Sequence, residues 1–181
     1  RILWFYSASY NLLKEPELLE KAKCAFEFLK DYFYDIRYGG VFWSVEADGT
    51  PLDTTKHTYN KSFAIYALSE YYKACGDKAA LSLAYILYYV IEEKCRDQDG
   101  YFEAVDMEFI PVSNEKLSEN GVIATRTMNT LLHVLEAYSE LYRADHLEQV
   151  KDSLLEILSL FKSRVYNEER GICEVFFDKD Y

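Results

Sequence analysis

The sequence predicts an all-α chain of antiparallel helix pairs stacked as a repeat, with short β-hairpins in the connecting loops. Three observations carry this. Apolar residues recur at the 3.6-residue period through most of the chain. Turn signals divide it in one order three times over: helix, helix, hairpin. The units also align with one another. Ser69-Glu70-Tyr71-Tyr72 falls on Ser139-Glu140-Leu141-Tyr142 at an offset of 70 residues, and the first unit falls on the second at an offset near 61, pairing Tyr10 with Tyr71 and Pro16 with Asp77. The first helix of each pair tends to be poor in charge and the second rich, as expected of an inner ring of helices inside an outer one. Residues 1–181 make a single domain by length.

In order, 2–13 holds no charge before Lys14 and reads as a buried helix. Pro16 suits a first helical turn, and 17–33 follows as an amphipathic helix with Leu18, Ala22, Ala25, Phe26 and Leu29 inward. Tyr38-Gly39-Gly40 breaks it; 41–45 reads as a strand, Ala47-Asp48-Gly49 as a turn and 50–54 as a returning strand. Gly76 stops the helix 58–75, and Asp77 caps the helix 78–95, whose uncharged stretch 79–91 calls for burial against a neighbour. Past Gly100, 101–112 looks like a hairpin, and a polar loop, 113–124, leads to the helix 125–144. The amphipathic helix 146–165 and, after Gly171, an apolar strand 172–177 complete the third unit. The chain starts inside a helical pattern without an initiator Met and stops just after a strand, so both ends are expected to be cuts in a longer polypeptide.

Composition excludes several functions. With 20 Lys/Arg against 31 Asp/Glu and no basic cluster, a nucleic-acid or anionic-membrane partner is not expected. Cys24, Cys75, Cys95 and Cys173 form no C-x-x-C pair, which argues against zinc, and Cys24 is expected as a small buried apolar group. No signal peptide or long apolar run occurs, so the expectation is a soluble cytoplasmic protein. Seventeen Tyr and 11 Phe suit surfaces that both stack and hydrogen-bond, such as carbohydrate contacts.

The helix 125–144 carries the candidate site. Its polar face holds Asn129, His133, Glu136 and Glu140, with the amide and the imidazole one turn apart. Such a stripe is either a solvated face or a pocket wall. The offset of 70 lays Tyr59 on Asn129 and Phe63 on His133, and Arg1 falls within a turn of the corresponding place. If the first helices form the inner ring, Arg1, Tyr59, Asn129 and His133 converge at one mouth, where positive helix ends collect. A cation, a phenol, an amide and an imidazole in an aromatic cavity suit an uncharged polyhydroxy ligand or its enediolate. His57, in the loop before Tyr59, and His146, in an outer turn, read as surface residues.

Arg1-Ile2-Leu3-Trp4-Phe5, Tyr38-Gly39-Gly40-Val41-Phe42-Trp43-Ser44, His57-Thr58-Tyr59-Asn60 with 63–69, Met128-Asn129-Thr130 with His133, and Val175-Phe176-Phe177-Asp178 together resemble the N-acylglucosamine 2-epimerase superfamily, in particular its cellobiose 2-epimerase branch. The resemblance runs over the whole chain. It implies an α/α toroid, with about three helical hairpins forming half of an (α/α)6 barrel. It also implies epimerisation at C2 of the reducing-end glucose of β-1,4-linked disaccharides (the cellobiose, mannobiose and lactose class) without metal, nucleotide or other cofactor. The sugar ring opens, a base removes the C2 proton, and the enediolate is reprotonated on its other face. Arg1 would be an oxyanion and sugar ligand, Tyr59 a hydrogen-bonding pocket residue, and Asn129 and His133 helpers at the ring oxygen and O1. The family's two proton-exchanging histidines lie in the second half of the barrel, outside this chain. The fragment is therefore expected to be inactive or nearly so, and to self-associate through its exposed half-barrel surface. Two rivals remain: a non-catalytic carbohydrate-binding or helical-repeat interaction fragment, and a glycoside hydrolase or lyase on the same toroid. Hydrolysis would need a pair of carboxylates, and neither Glu103 nor Asp106 sits in an assignable motif.

Overall fold

The computed structural model describes residues 1–113 and 124–178. Six α-helices form three antiparallel pairs: α1 (Ile2–Leu13) with α2 (Pro16–Phe28), α3 (Thr58–Cys75) with α4 (Lys78–Lys94), and α5 (Met128–Asp145) with α6 (Glu148–Leu160). In α2 and α6 the last turn widens to π geometry, over Leu29–Phe33 and Phe161–Val165, so both helices end where the sequence pattern ends. Helices α1, α3 and α5 lie side by side as the inner layer, with α3 packed against both neighbours, and α2, α4 and α6 cover them from outside. The uncharged stretch of α4 is accounted for: Leu83, Leu87, Tyr88 and Ile91 are buried, and the Tyr88 hydroxyl donates to the Gln149 carbonyl on α6.

Each inner helix closes with a residue in the left-handed region, Lys14, Gly76 and His146, whose N–H bonds back to Tyr10, Tyr72 and Tyr142. Ser7, Ser69 and Ser139 likewise each donate to the carbonyl four residues earlier. These two sets fix the repeat register at 62 residues between the first two units and 70 between the next two. The sequence offset near 61 was one residue short, because runs of Tyr at 71–72 align almost equally well either way.

In the second and third units the loops close by strand exchange: a short strand entering the inner helix pairs with a strand that follows the outer helix of the same unit. Thus β3 (Lys56–His57) pairs with β6 (Ala104–Val105), and β7 (Arg126–Thr127) with β10 (Phe176–Phe177). Between them lie tight hairpins, β4 (Arg96–Asp97) with β5 (Gly100–Tyr101) and β8 (Tyr166–Asn167) with β9 (Ile172–Cys173). Hence the expected hairpin 101–112 is divided: Tyr101 pairs backward to Arg96, while Val105 pairs to Lys56 and bridges to Pro111. The strand 172–177 is divided in the same way. In the first unit Tyr34 bridges to Val41, and β1 (Ser44–Val45) pairs with β2 (Pro51–Asp53), close to the expected strands. The polar loop expected at 113–124 lies largely outside the described residues.

Buried ion pairs lock one unit to the next. Lys56, fully buried, donates to Asp35 at 2.7 Å, and 70 residues later Arg126, also fully buried, donates to Asp97 at 2.6 Å. Both aspartates also cap the tight turn that follows them by accepting two backbone N–H groups. Although burial works against ionisation, these donors hold both carboxyls below the usual carboxylate range.

Three expectations fail on burial. Helix α1 is not buried as a whole: of its residues only Leu3 and Ser7 are, and Ile2, Phe5, Leu12 and Leu13 lie open on a flank with no neighbouring helix among the described residues. Cys24 is exposed at the edge of an apolar cleft between α1, α2 and α3, rather than packed inward, because Ala22 and Phe26 take the buried face of α2. His57 is buried rather than at the surface, its ring 4.4 Å from that of Trp43, because β3 is drawn inward by pairing with β6.

Candidate active site

In the 62/70 register Arg1, Phe63 and His133 are the same position in three successive inner helices. They meet at the end where those helices begin. The Arg1 guanidinium lies 4.6 Å over the Phe63 ring, and Phe63 lies 4.8 Å from the His133 imidazole. Tyr59, one turn earlier on α3, completes the group. Its hydroxyl accepts from Arg1 Nη2 at 2.7 Å, and its ring meets His133 edge-on at 4.8 Å. Three of the four residues singled out in the sequence thus form one cluster. The fourth, Asn129, is exposed one turn before His133 on α5.

One turn deeper the equivalent residues are Trp4, Tyr66 and Glu136. Trp4 and Tyr66 stack at 5.6 Å, and Glu136 Oε2 lies 2.8 Å from His133 Nδ1. Burial, followed by the nearby carboxylates Glu140, Glu136 and Glu70, raises the Tyr66 phenol above its ordinary value. Below this layer an ionic network ties the three inner helices together. Asn11 donates to Glu70 at 2.6 Å, Lys73 bridges Glu70 and Glu140, and Arg143 reaches Glu140 at 3.2 Å. The inner surface is therefore polar and aromatic at its mouth and sealed by charge at its base.

The carboxylates considered for hydrolysis are placed elsewhere. Glu103 is buried and accepts from the Thr127 N–H at 2.7 Å and the Thr130 hydroxyl at 2.8 Å, capping the start of α5; burial pushes its carboxyl up to about 7. Asp106 accepts the N–H groups of Glu108 and Ile110 in a turn. Among the described residues no group of three or more His, Cys, Asp or Glu side chains gathers as a metal site, and no helix is long and apolar enough to cross a membrane. Sequence reasoning gave no role to Trp4, Tyr66 or Glu136. The spacing of Glu136 three residues after His133, on one face of one helix, was the available signal for the last.

The sequence profile of N-acylglucosamine 2-epimerase (GlcNAc 2-epimerase) matches residues 1–181. The chain belongs to this family. Among curated members of the N-acylglucosamine 2-epimerase family, cellobiose 2-epimerase of Eubacterium cellulosolvens is 51% identical over 197 residues, covering 100% of this chain and 49% of that protein. Cellobiose 2-epimerase of Ruminococcus albus is 52% identical over 178 residues, covering 98% and 46%. The crystal structure of a sugar epimerase from a ruminal bacterium superposes with a TM-score of 0.96 at 51% identity, covering 98% of this chain and 46% of that one. The structure of cellobiose 2-epimerase from Bacillus thermoamylovorans B4167 gives 0.93 at 41% identity, covering 99% and 47%. A glycoside hydrolase family 76 mannosidase from Bacteroides thetaiotaomicron gives 0.70 at 19% identity, which shows a shared fold alone. The α/α toroid expected from the sequence is thus the architecture of this family member, and the chain spans about half the length of the relatives it matches.

Proposed function

We propose that this chain supplies one wall of the sugar site of a 2-epimerase that acts at C2 of the reducing-end aldose of β-1,4-linked disaccharides such as cellobiose, mannobiose or lactose. The observation that carries the proposal is the joining of Arg1, Tyr59 and His133 at the mouth of the inner layer, floored by Phe63. Epimerisation opens the sugar ring, removes the C2 proton and returns one to the opposite face. Negative charge develops on the enediolate oxygens, and a guanidinium fixed at one point stabilises it there. Arg1 is held for this role by Tyr59, and the Tyr59 hydroxyl hydrogen remains to meet a sugar oxygen. His133 and Asn129 assist at the ring oxygen and O1.

Two-sided proton exchange at C2 needs an acid/base group on each face of the enediolate, and this cluster offers one imidazole. The chain alone is therefore expected to have no more than trace activity. In deuterated water with cellobiose, NMR should detect no deuterium entering C2. A polypeptide that adds the remaining half of the toroid should restore exchange, and His133→Ala in that polypeptide should slow turnover without unfolding it. Deuterium incorporation by this chain alone, abolished by His133→Ala, would show that this half carries its own base and overturn the assignment.

A further inference from the structure

Glu136 departs from its repeat. At the equivalent position the first two units carry Trp4 and Tyr66, which stack on each other; the third carries a carboxylate, and it does so in the unit that has the imidazole. We infer that Glu136 is the positioning residue of His133, holding the ring proton on Nδ1 and leaving Nε2 as a hydrogen-bond acceptor for a sugar hydroxyl.

The geometry supports this from several sides. Glu136 Oε2 lies 2.8 Å from Nδ1, and an ionised carboxylate only accepts, so the hydrogen between them belongs to the ring. Glu136 is half-exposed, which leaves its carboxylate in contact with water, whereas the His133 side chain is 18% exposed. The next carboxylate along the helix, Glu140, is already engaged by Lys73 and Arg143 and does not compete for the imidazole. The ring faces are fixed by Tyr59 and Phe63, with centroids 4.8 Å away in each case. With Nδ1 committed and the ring orientation held, Nε2 is the one polar atom of His133 without a partner among the described residues.

The consequence concerns what the mouth can recognise. Arg1 offers only donors, and the Tyr59 oxygen already accepts from Arg1, so both present hydrogens to a ligand. An imidazole with its proton on Nε2 would add a third donor. Held in the Nδ1–H form, it adds an acceptor instead. A sugar hydroxyl both donates and accepts, so a donor–acceptor mouth satisfies both of its functions, whereas an all-donor mouth leaves its proton without an acceptor and favours an anion. This assignment of ligand class rests on the epimerase reading above; the tautomer itself does not.

The test is long-range proton–nitrogen NMR on the chain with ¹⁵N-labelled histidine, recorded at a pH where the imidazole is neutral. Wild type should show a pyrrole-type shift at Nδ1 and an imine-type shift at Nε2 for His133, the tautomer that is the minor one for free histidine in water. Glu136→Ala should invert the two shifts, making Nε2–H the major form, while the helical circular-dichroism signal is retained. Glu136→Gln, whose amide oxygen can still accept from Nδ1, should recover part of the wild-type pattern. Nε2–H as the major form in wild type, or no inversion in Glu136→Ala, overturns the inference. Cellobiose added afterwards separates the two readings. A shift confined to Nε2 supports both, and the expected tautomer with no response to saturating sugar leaves the positioning role standing and counts against the sugar site.

Discussion

Replacing Lys61 by Met tests the energetics of the loop end of the barrel. Lys61 sits in the first turn of α3 with its ammonium fully buried, 5.8 Å from the Phe109 ring centre, and without a hydrogen-bond partner of normal geometry among the described residues. The neighbouring Cys95 thiol is a weak acceptor, and Lys56, a like charge, lies close by. Burial therefore drives the Lys61 amine below its ordinary value, which the Cys95 sulfur only partly opposes. A polar group buried without compensation costs about 1–3 kcal/mol by mutational measures. Methionine is one heavy atom shorter, flexible, and packs well against an aromatic ring. Lys61→Met should accordingly raise stability by about 1–3 kcal/mol, or Tm by about 2–12 °C at about 2–4 °C per kcal/mol for a chain of this size. The sign with pH follows from the lowered pKa. Between the folded value and 10.5 the unfolded chain binds a proton that the folded chain does not, so wild-type stability rises with pH through that window. The variant should lose that rise. Urea unfolding from pH 7 to 10.5 reads both quantities. A variant less stable than wild type, with the pH slope intact, would mean that Lys61 makes a favourable interaction in the core and would refute the reasoning.

Three further outcomes are expected. Arg126→Ala strips Asp97 of its ion-pair partner and leaves a void at a fully buried position, so it should cost about 3 kcal/mol, read as a lowered urea midpoint at unchanged slope. For Glu103 the sign runs opposite to that of Asp35 and Asp97: with its folded pKa raised to about 7, its contribution is fully present below the ordinary glutamate value of 4.5 and is lost as pH rises through 7. Glu103→Gln should flatten the stability profile across that window, since the Thr130 hydroxyl can rotate to accept from the new amide. The open apolar flank of α1, with Phe5 and Leu12, and the exposed Leu155 and Leu158 on α6 should make the chain self-associate, measured as light-scattering mass above the monomer that falls on Phe5→Ser with Leu12→Ser. A clean monomer of high thermal stability would count against this.

Local rules account for most of what the sequence by itself determined. Helix periodicity placed all six helices, and Gly76 and Asp77 marked a stop and a cap that the structure contains. The repeat offset brought Arg1, Tyr59 and His133 to one mouth, because equivalent positions on stacked helices must lie at one level. Tertiary structure decided what depends on a partner 20 to 70 residues away. The pairing of Val105 with Lys56, which separates it from the hairpin that Tyr101 forms with Arg96, follows from the entry strand of α3 being in place to receive it. Burial of His57 and exposure of Cys24 likewise turn on which neighbours arrive, which no helical wheel contains. The Lys56–Asp35 and Arg126–Asp97 pairs stand in the sequence at the two repeat offsets, 62 residues between the aspartates and 70 between the bases, yet a charge among many is conspicuous only once its burial is known. Helix formation is written in contacts four residues apart, whereas these choices were made by hydrogen bonds and desolvation between segments that meet only when the units stack.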